Sequence, residues 1–165
     1  MSSGTQAAAD WTRRQSMALV ETVRTVLASK SGEIWSAGPE TTVFDAIALM
    51  ADKGVGALVV MAEGKLVGIV SERDYARKVI LLGKHSKETQ VREIMTSPVV
   101  TVTPGHTVEQ CMEIVTERRV RHLPVMEGER VAGMISVGDL IKAIISAQAH
   151  TIHQLSNYIA GDYPA

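Results

Sequence analysis

Apolar residues recur along this chain with two different periods, and the change from one to the other happens twice. Between Thr42 and Gly54 they fall at Val43, Ala46, Ile47 and Met50. That is the i, i+3, i+4, i+7 spacing of one helix face, with Thr42 placed as the N-cap. A β-rich run follows at 56–62 (GALVVMA), then a tight turn at Glu63-Gly64 and a second run at 65–70 (KLVGIV). Two short strands joined by a glycine turn predict a hairpin. The order then returns: Val108, Cys111, Met112 and Val115 behind Thr107, a strand over 122–127 (HLPVME), a turn at Gly128-Glu129 and a strand over 130–135 (RVAGMI). Each hairpin ends at a serine that opens a final helix, expected over 72–82 and 137–149. With a short strand leading into each copy, the unit is βαββα, an α/β (α+β) pattern.

The two copies are in register. Gly68, Ser71 and Asp74 of GIVSERDYA return 65 positions later as Gly133, Ser136 and Asp139 of GMISVGDLI. Pro39 meets Pro104, Thr42 meets Thr107, Leu58 meets Leu123 and Met61 meets Met126, without a gap from residue 34 to about 79. Upstream, VRTVLAS (23–29) matches VREIMTS (91–97) at a shift of 68, so the first copy carries three extra residues around Lys30–Glu33. A constant register that keeps the Pro, Gly, Ser and Asp punctuation indicates duplication. One unit has a single three-stranded sheet and cannot cover both its faces. Two units packed sheet to sheet bury a shared core.

The domain organisation follows. Residues 1–15 read as a flexible tail and 16–82 as the first repeat with a leading helix over 16–30, its face carrying Leu19, Val20, Val23 and Leu27. Residues 83–90 (GKHSKETQ) are a polar linker, 91–147 the second repeat, and 148–165 a helical extension and tail. The stretch 140–160 predicts a long helix, with a break near Gln148–Thr151 left open. Its apolar stripe exceeds what one unit needs, which points to a partner chain.

Bulk properties narrow the function. The 165 residues are 45% hydrophobic, suited to a packed globule. A net charge of −1 argues against a broad basic face for nucleic acid. No run reaches the roughly 18 apolar residues of a membrane span, and residues 1–16 lack the apolar core of a secretion signal. The single cysteine, Cys111, sits on an apolar helix position and reads as core; it excludes an internal disulfide framework and suits a reducing compartment. These features place the chain in the cytoplasm. His150 and His153 stand at i, i+3 without a companion carboxylate or cysteine, so no metal is expected. No nucleophile–base set is evident, which argues against an enzyme.

The doubled Gly-apolar-apolar-Ser-x-x-Asp junction, the segment RRVRHLPVMEGERVAGMIS (118–136) and the opening PVVTVTPGHTVEQCMEIV (98–115) resemble the cystathionine beta-synthase (CBS) domain family, and the pair resembles a stand-alone tandem regulatory module. The resemblance covers about residues 20–147. It implies a disc with pseudo-twofold symmetry that binds adenosine-containing ligands (AMP, ADP, ATP, NAD or S-adenosylmethionine) between the copies, forms homodimers and signals to an effector protein. Likeness to the CBS insert of IMP dehydrogenase keeps an enzyme fragment as an alternative, although the catalytic barrel is absent from this sequence. A nucleic-acid-binding regulator is the other alternative.

The resemblance also assigns residues. Ser71 and Ser136 stand where a strand meets a helix, a place that favours anions. The dipole contributes on the order of 0.3–1 kcal/mol there, enough to orient a phosphate but not to capture it. Asp74 and Asp139 are positioned to accept from ribose hydroxyls, as the acid of dinucleotide folds does. The competing reading is a capping box, with no ligand role. The base slot is implied at Trp35, Ser36 and Ala37 with Val55, Gly56, Ala57 and Leu58, and at Val100, Thr101 and Val102 with Val120, Arg121, His122, Leu123 and Pro124. Trp35 either stacks on a base or is a core aromatic. Arg121 and His122 either grip phosphate or form a solvated edge. The first copy has Gly56 and Ala57 at those two positions, and Arg73 and Arg77 substitute for the missing charge only in part. The two sites are therefore expected to be inequivalent.

Overall fold

The structure is a computed structural model that describes residues 21–160. The elements are α1 (Val23–Ala28), β1 (Ser36–Ala37), α2 (Val43–Lys53), β2 (Ala57–Ala62), β3 (Lys65–Ser71), α3 (Glu72–Tyr75), a π turn (Ala76–Ile80), a 3-10 turn (Val91–Glu93), α4 (Val108–Arg118), β4 (His122–Glu127), β5 (Arg130–Ser136) and α5 (Val137–Ala160). The expected 16–20 part of the leading helix and the two tails lie outside the described residues. Thr22 is extended and bridges Thr107, so α1 starts only at Val23.

Both α2 and α4 begin where their threonines cap them. Thr42 Oγ1 accepts from Asp45 N–H and Thr107 Oγ1 from Gln110 N–H. In the first copy β1 pairs parallel with β2, and β2 pairs antiparallel with β3. In the second, β4 and β5 pair antiparallel, and the third strand shrinks to a parallel bridge between Val102 and Val125. Each hairpin carries a register shift at the same repeat position, Val60/Met61 and Val125/Met126. The final helices differ. The first breaks into α3 and the π turn; the second runs unbroken through Gln148–Thr151.

The shared core expected from the repeat is realised as two apolar clusters that exchange their leaders. Val23 and Val26 of α1 join Cys111, Leu123, Val125, Ile135 and Leu140 of the second copy. Val91 and Ile94 join Met50, Leu58, Val60 and Val70 of the first. Backbone bonds follow the same symmetry. Val23 N–H donates to His106 O and Arg24 N–H to Pro104 O; Val91 N–H donates to Thr41 O and Arg92 N–H to Pro39 O. The polar segment before Val91 is pinned as well, since Val43 N–H donates to Thr89 O and Phe44 N–H to Ser86 O. Burying apolar leader residues in the opposite copy ties the halves together without a continuous sheet.

Candidate functional site

Each serine junction is a cap first. Ser71 Oγ accepts from Asp74 N–H at 3.2 Å, and Asp74 Oδ2 accepts from Ser71 N–H and Oγ–H at 2.9 Å each. Ser136 N–H donates to Asp139 Oδ2 at 2.8 Å, and Asp139 N–H donates to Ser136 Oγ at 3.2 Å. The capping reading therefore describes both copies. It does not exhaust the acids, because a carboxylate offers about four lone-pair directions, and both junctions open onto clefts between the copies. Glu72 N–H is taken by Gly56 O and Val137 N–H by Arg121 O. With the first and third amides of each opening turn occupied, side chains supply most of the donors left for a phosphate.

The first cleft, about 290 Å³, is lined by Ser71, Arg73, Asp74, Val120, Arg121 and His122, with Arg77, Arg119 and Thr96 at its walls. The second, about 370 Å³, is lined by Trp35, Val55, Gly56, Ala57, Ser136 and Asp139, with Lys30, Lys53 and Glu33. Each cleft thus joins one copy's serine junction to the other copy's first hairpin strand. Gly56 and His122 touch both. A β-carbon at Gly56 would sit 3.6 Å from His122 Nε2. Trp35 packs one side on the core and shows the other to the second cleft, where Lys53 Nζ stands 4.6 Å from its ring centroid.

Several candidates lie elsewhere. Ala37, Leu58, Val102, Leu123 and Pro124 are buried and line neither cleft. Ser36 is exposed and pairs with Val59 in β1. Thr101 is exposed beside Ser97 and Pro98 in a separate open groove. Strands β2 and β4 are buried on both faces at these positions, so Leu58, Leu123 and Pro124 serve packing and not a ligand.

The residue that sequence reasoning missed is Lys30. Its Nζ donates to Asp139 Oδ2 at 2.7 Å and to Met134 O at 2.7 Å. In the first copy the counterpart carbonyl, Ile69 O, accepts from Thr96 N–H, and Asp74 is paired instead with Lys78 at 2.9 Å. The three-residue insertion at Lys30–Glu33 was the available signal. Burial pushes the Asp139 carboxyl up, but hydrogen bonds from Lys30 and Ser136 outweigh it and hold it below its ordinary value. His122 is held below its ordinary value, first by burial and then by Lys30, against the pull of Asp139.

Comparison with known proteins agrees with this geometry. The CBS domain family profile matches residues 23–80 and 91–146. The mitochondrial CBS domain-containing protein CBSX3 of Arabidopsis thaliana is 41% identical over 129 residues, 75% of this chain and 63% of its own length. This chain therefore spans less than two thirds of that curated relative. A solved CBS-domain protein of Burkholderia ambifaria, described in connection with signal transduction, is 46% identical with a TM-score of 0.75, over 76% of this chain and 95% of its own. The hexameric CBS-CP12 protein of bloom-forming cyanobacteria is 31% identical with a TM-score of 0.68, over 74% and 71%. Among the described residues no helix is long and apolar enough to cross a membrane. The chain belongs to the CBS-domain family and carries two copies of the domain.

Proposed function

We propose that this chain is a ligand-sensing regulatory module that binds adenosine-containing nucleotides, AMP, ADP, ATP or NAD, in the two clefts between its CBS copies. The observation that carries this reading is the placement of Asp74 and Asp139, each beside its serine and on the wall of a cleft built from both copies. A carboxylate so placed accepts ribose hydroxyls, and the apolar strand starts at Val55 and Val120 supply a flat slot for the base. A ligand bridging the copies biases their relative arrangement only as far as it binds two states differently, typically about 1–3 kcal/mol.

The proposed assembly is a homodimer that signals to an effector protein. Ile80 and Ile145 occupy the same repeat position and are 56% and 59% exposed, and the stripe continues on α5 through Ile152 and Leu155. Apolar residues in that arrangement suit a second copy. The proposed compartment is cytoplasmic, supported by the buried free thiol of Cys111.

A thermal-shift panel tests the reading. Ligand at a hundredfold its Kd adds about 2.7 kcal/mol, which raises Tm by roughly 5–10 °C for a chain of this size. Adenosine ligands should give that shift and GMP or CMP should not. A flat panel rejects the proposal, and catalytic turnover of a nucleotide, or stabilisation by duplex DNA alone, favours the enzyme or nucleic-acid reading.

A further inference from the structure

The two clefts differ in charge, and the difference follows from the crossed assembly. Arg73 and Arg77 come from the segment after Ser71; Arg119 and Arg121 come from the other copy, between α4 and β4. All four line the first cleft, against the carboxylates of Glu72 and Asp74. Asp74 is already matched by Lys78 at 2.9 Å. Among the described residues none of the four guanidiniums has an ion-pair partner. They act on one another instead: Arg77, then Arg121, hold the Arg73 guanidinium below its ordinary pKa. In the second cleft the charges are balanced. Lys30 is paired with Asp139 at 2.7 Å and Lys53 with Asp52 at 2.9 Å.

Arg119 supplies a second, independent observation. Helix α2 ends on Gly54 at φ 64°, and the equivalent cap of α4 is Arg119 at φ 53°. Left-handed backbone crowds a β-carbon, which is why glycine is the usual residue there. The chain accepts that strain at the position whose side chain reaches the first cleft, as strained residues at functional sites do.

We propose that the first cleft is selective for nucleoside polyphosphates, with the arginines taking the second and third phosphates, while the second cleft has no phosphate selectivity. This rests on the nucleotide reading above and goes beyond it, because it ranks ATP and ADP over AMP and NAD. Guanidinium groups bind phosphate oxygens in bidentate fashion, and four of them around one volume favour the ligand with the most negative charge.

Calorimetric titration of the full chain at low salt, without magnesium, tests it with ATP, ADP, AMP, adenosine and inorganic tripolyphosphate. ATP should bind one site at least about tenfold tighter than AMP, with the ratio shrinking as salt screens the cluster. R119G should reduce the ratio severalfold and, by relieving the left-handed cap, raise Tm by about 1–3 °C. R121Q should reduce the ratio without raising Tm. K142M, an exposed cation that lines neither cleft, should leave it intact. Equal affinity for ATP and AMP, a ratio unchanged in both arginine variants, or its loss in K142M overturns the proposal. Tripolyphosphate binding as tightly as ATP overturns it too, since the nucleoside then adds nothing. If adenosine and AMP also fail to bind, the nucleotide reading itself falls.

Discussion

The glycines three residues before each junction serine give a sharp test of the crossed leaders. A β-carbon on Gly133 would stand 2.7 Å from Leu27 Cδ2 and 3.2 Å from Cδ1. Leu27 belongs to α1, the leader of the other copy, and packs on the second copy's cluster. At Gly68 the β-carbon would stand 2.5 Å from Met95 Sδ, 3.0 Å from Cγ and 3.3 Å from Cβ. Met95 and Leu27 are equivalent in the leader repeat, so the same close approach occurs twice. Alanine at an unstrained strand position normally gains about 0.4–1 kcal/mol by restricting the unfolded chain. Overpacking costs about 1–3 kcal/mol. Gly133→Ala should therefore destabilise by roughly 1–2 kcal/mol, lowering Tm by about 2–8 °C. Gly68→Ala should cost more, because its clash reaches Met95 Cβ, close to the backbone, where a rotamer change gives no relief.

Urea denaturation reads this out as a fall in midpoint at constant m. The decisive experiment is the cycle with Leu27→Ala. Truncating a partly buried leucine is itself destabilising, yet it removes the atoms that the new methyl would meet. The double variant should cost at least about 1 kcal/mol less than the two single changes added together. Additivity within about 0.3 kcal/mol, or a Gly133→Ala protein as stable as the parent, would refute the placement of α1 on the second copy.

Four further outcomes follow, three from the site and one from the proposed dimer face. His122 is kept neutral in the fold by burial and by Lys30 and Arg121, so the unfolded chain binds more protons and stability should fall as pH drops below about 6.5; His122→Asn should flatten that slope in pH-dependent denaturation. ATP bound in the first cleft should raise the His122 pKa, followed by NMR titration, since a nearby anion favours the charged ring; an unmoved pKa would place the phosphates elsewhere. Asp139 is held below its ordinary value, so it contributes stability above about pH 4 that is lost as pH falls through its folded value; Lys30→Met should remove up to about 1 kcal/mol at pH 7 and make acid unfolding less steep. Replacing Ile80 and Ile145 with Glu should shift the sedimentation coefficient to that of a monomer, and an unchanged species would discard the proposed dimer face.

What was legible in the sequence is what local periodicity and local capping control. Thr42 and Thr107 cap the helices they were expected to cap, both hairpins turn at their glycines, and Ser71 and Ser136 sit at strand-to-helix junctions. Each of these depends on residues within four positions of one another. What was not legible depends on residues far apart. Nothing in VRTVLAS says that Val23 belongs to the cluster around Cys111, because both copies offer the leader an equally apolar surface. The direction of exchange is visible only in pairs such as Leu27 with Gly133.

That exchange also explains why the arginines were hard to place. Read along the chain, Arg73 and Arg77 look like a partial replacement for charges that Gly56 and Ala57 lack, which would narrow the difference between the two sites. In space the first hairpin strand of each copy faces the serine junction of the other, so Gly56 and Ala57 face Ser136, and Arg121 and His122 face Ser71. Charges that seem to compensate in sequence therefore add within one cleft. The other cleft is left with two paired lysines, Lys53 and Lys30, the second delivered by the insertion that breaks the repeat. A duplicated fold thus acquires two unequal sites through three local changes: an arginine-rich turn in the second copy, two arginines after the serine junction of the first, and three residues added to a leader. His122, on the wall of both clefts, is where the two sites remain coupled.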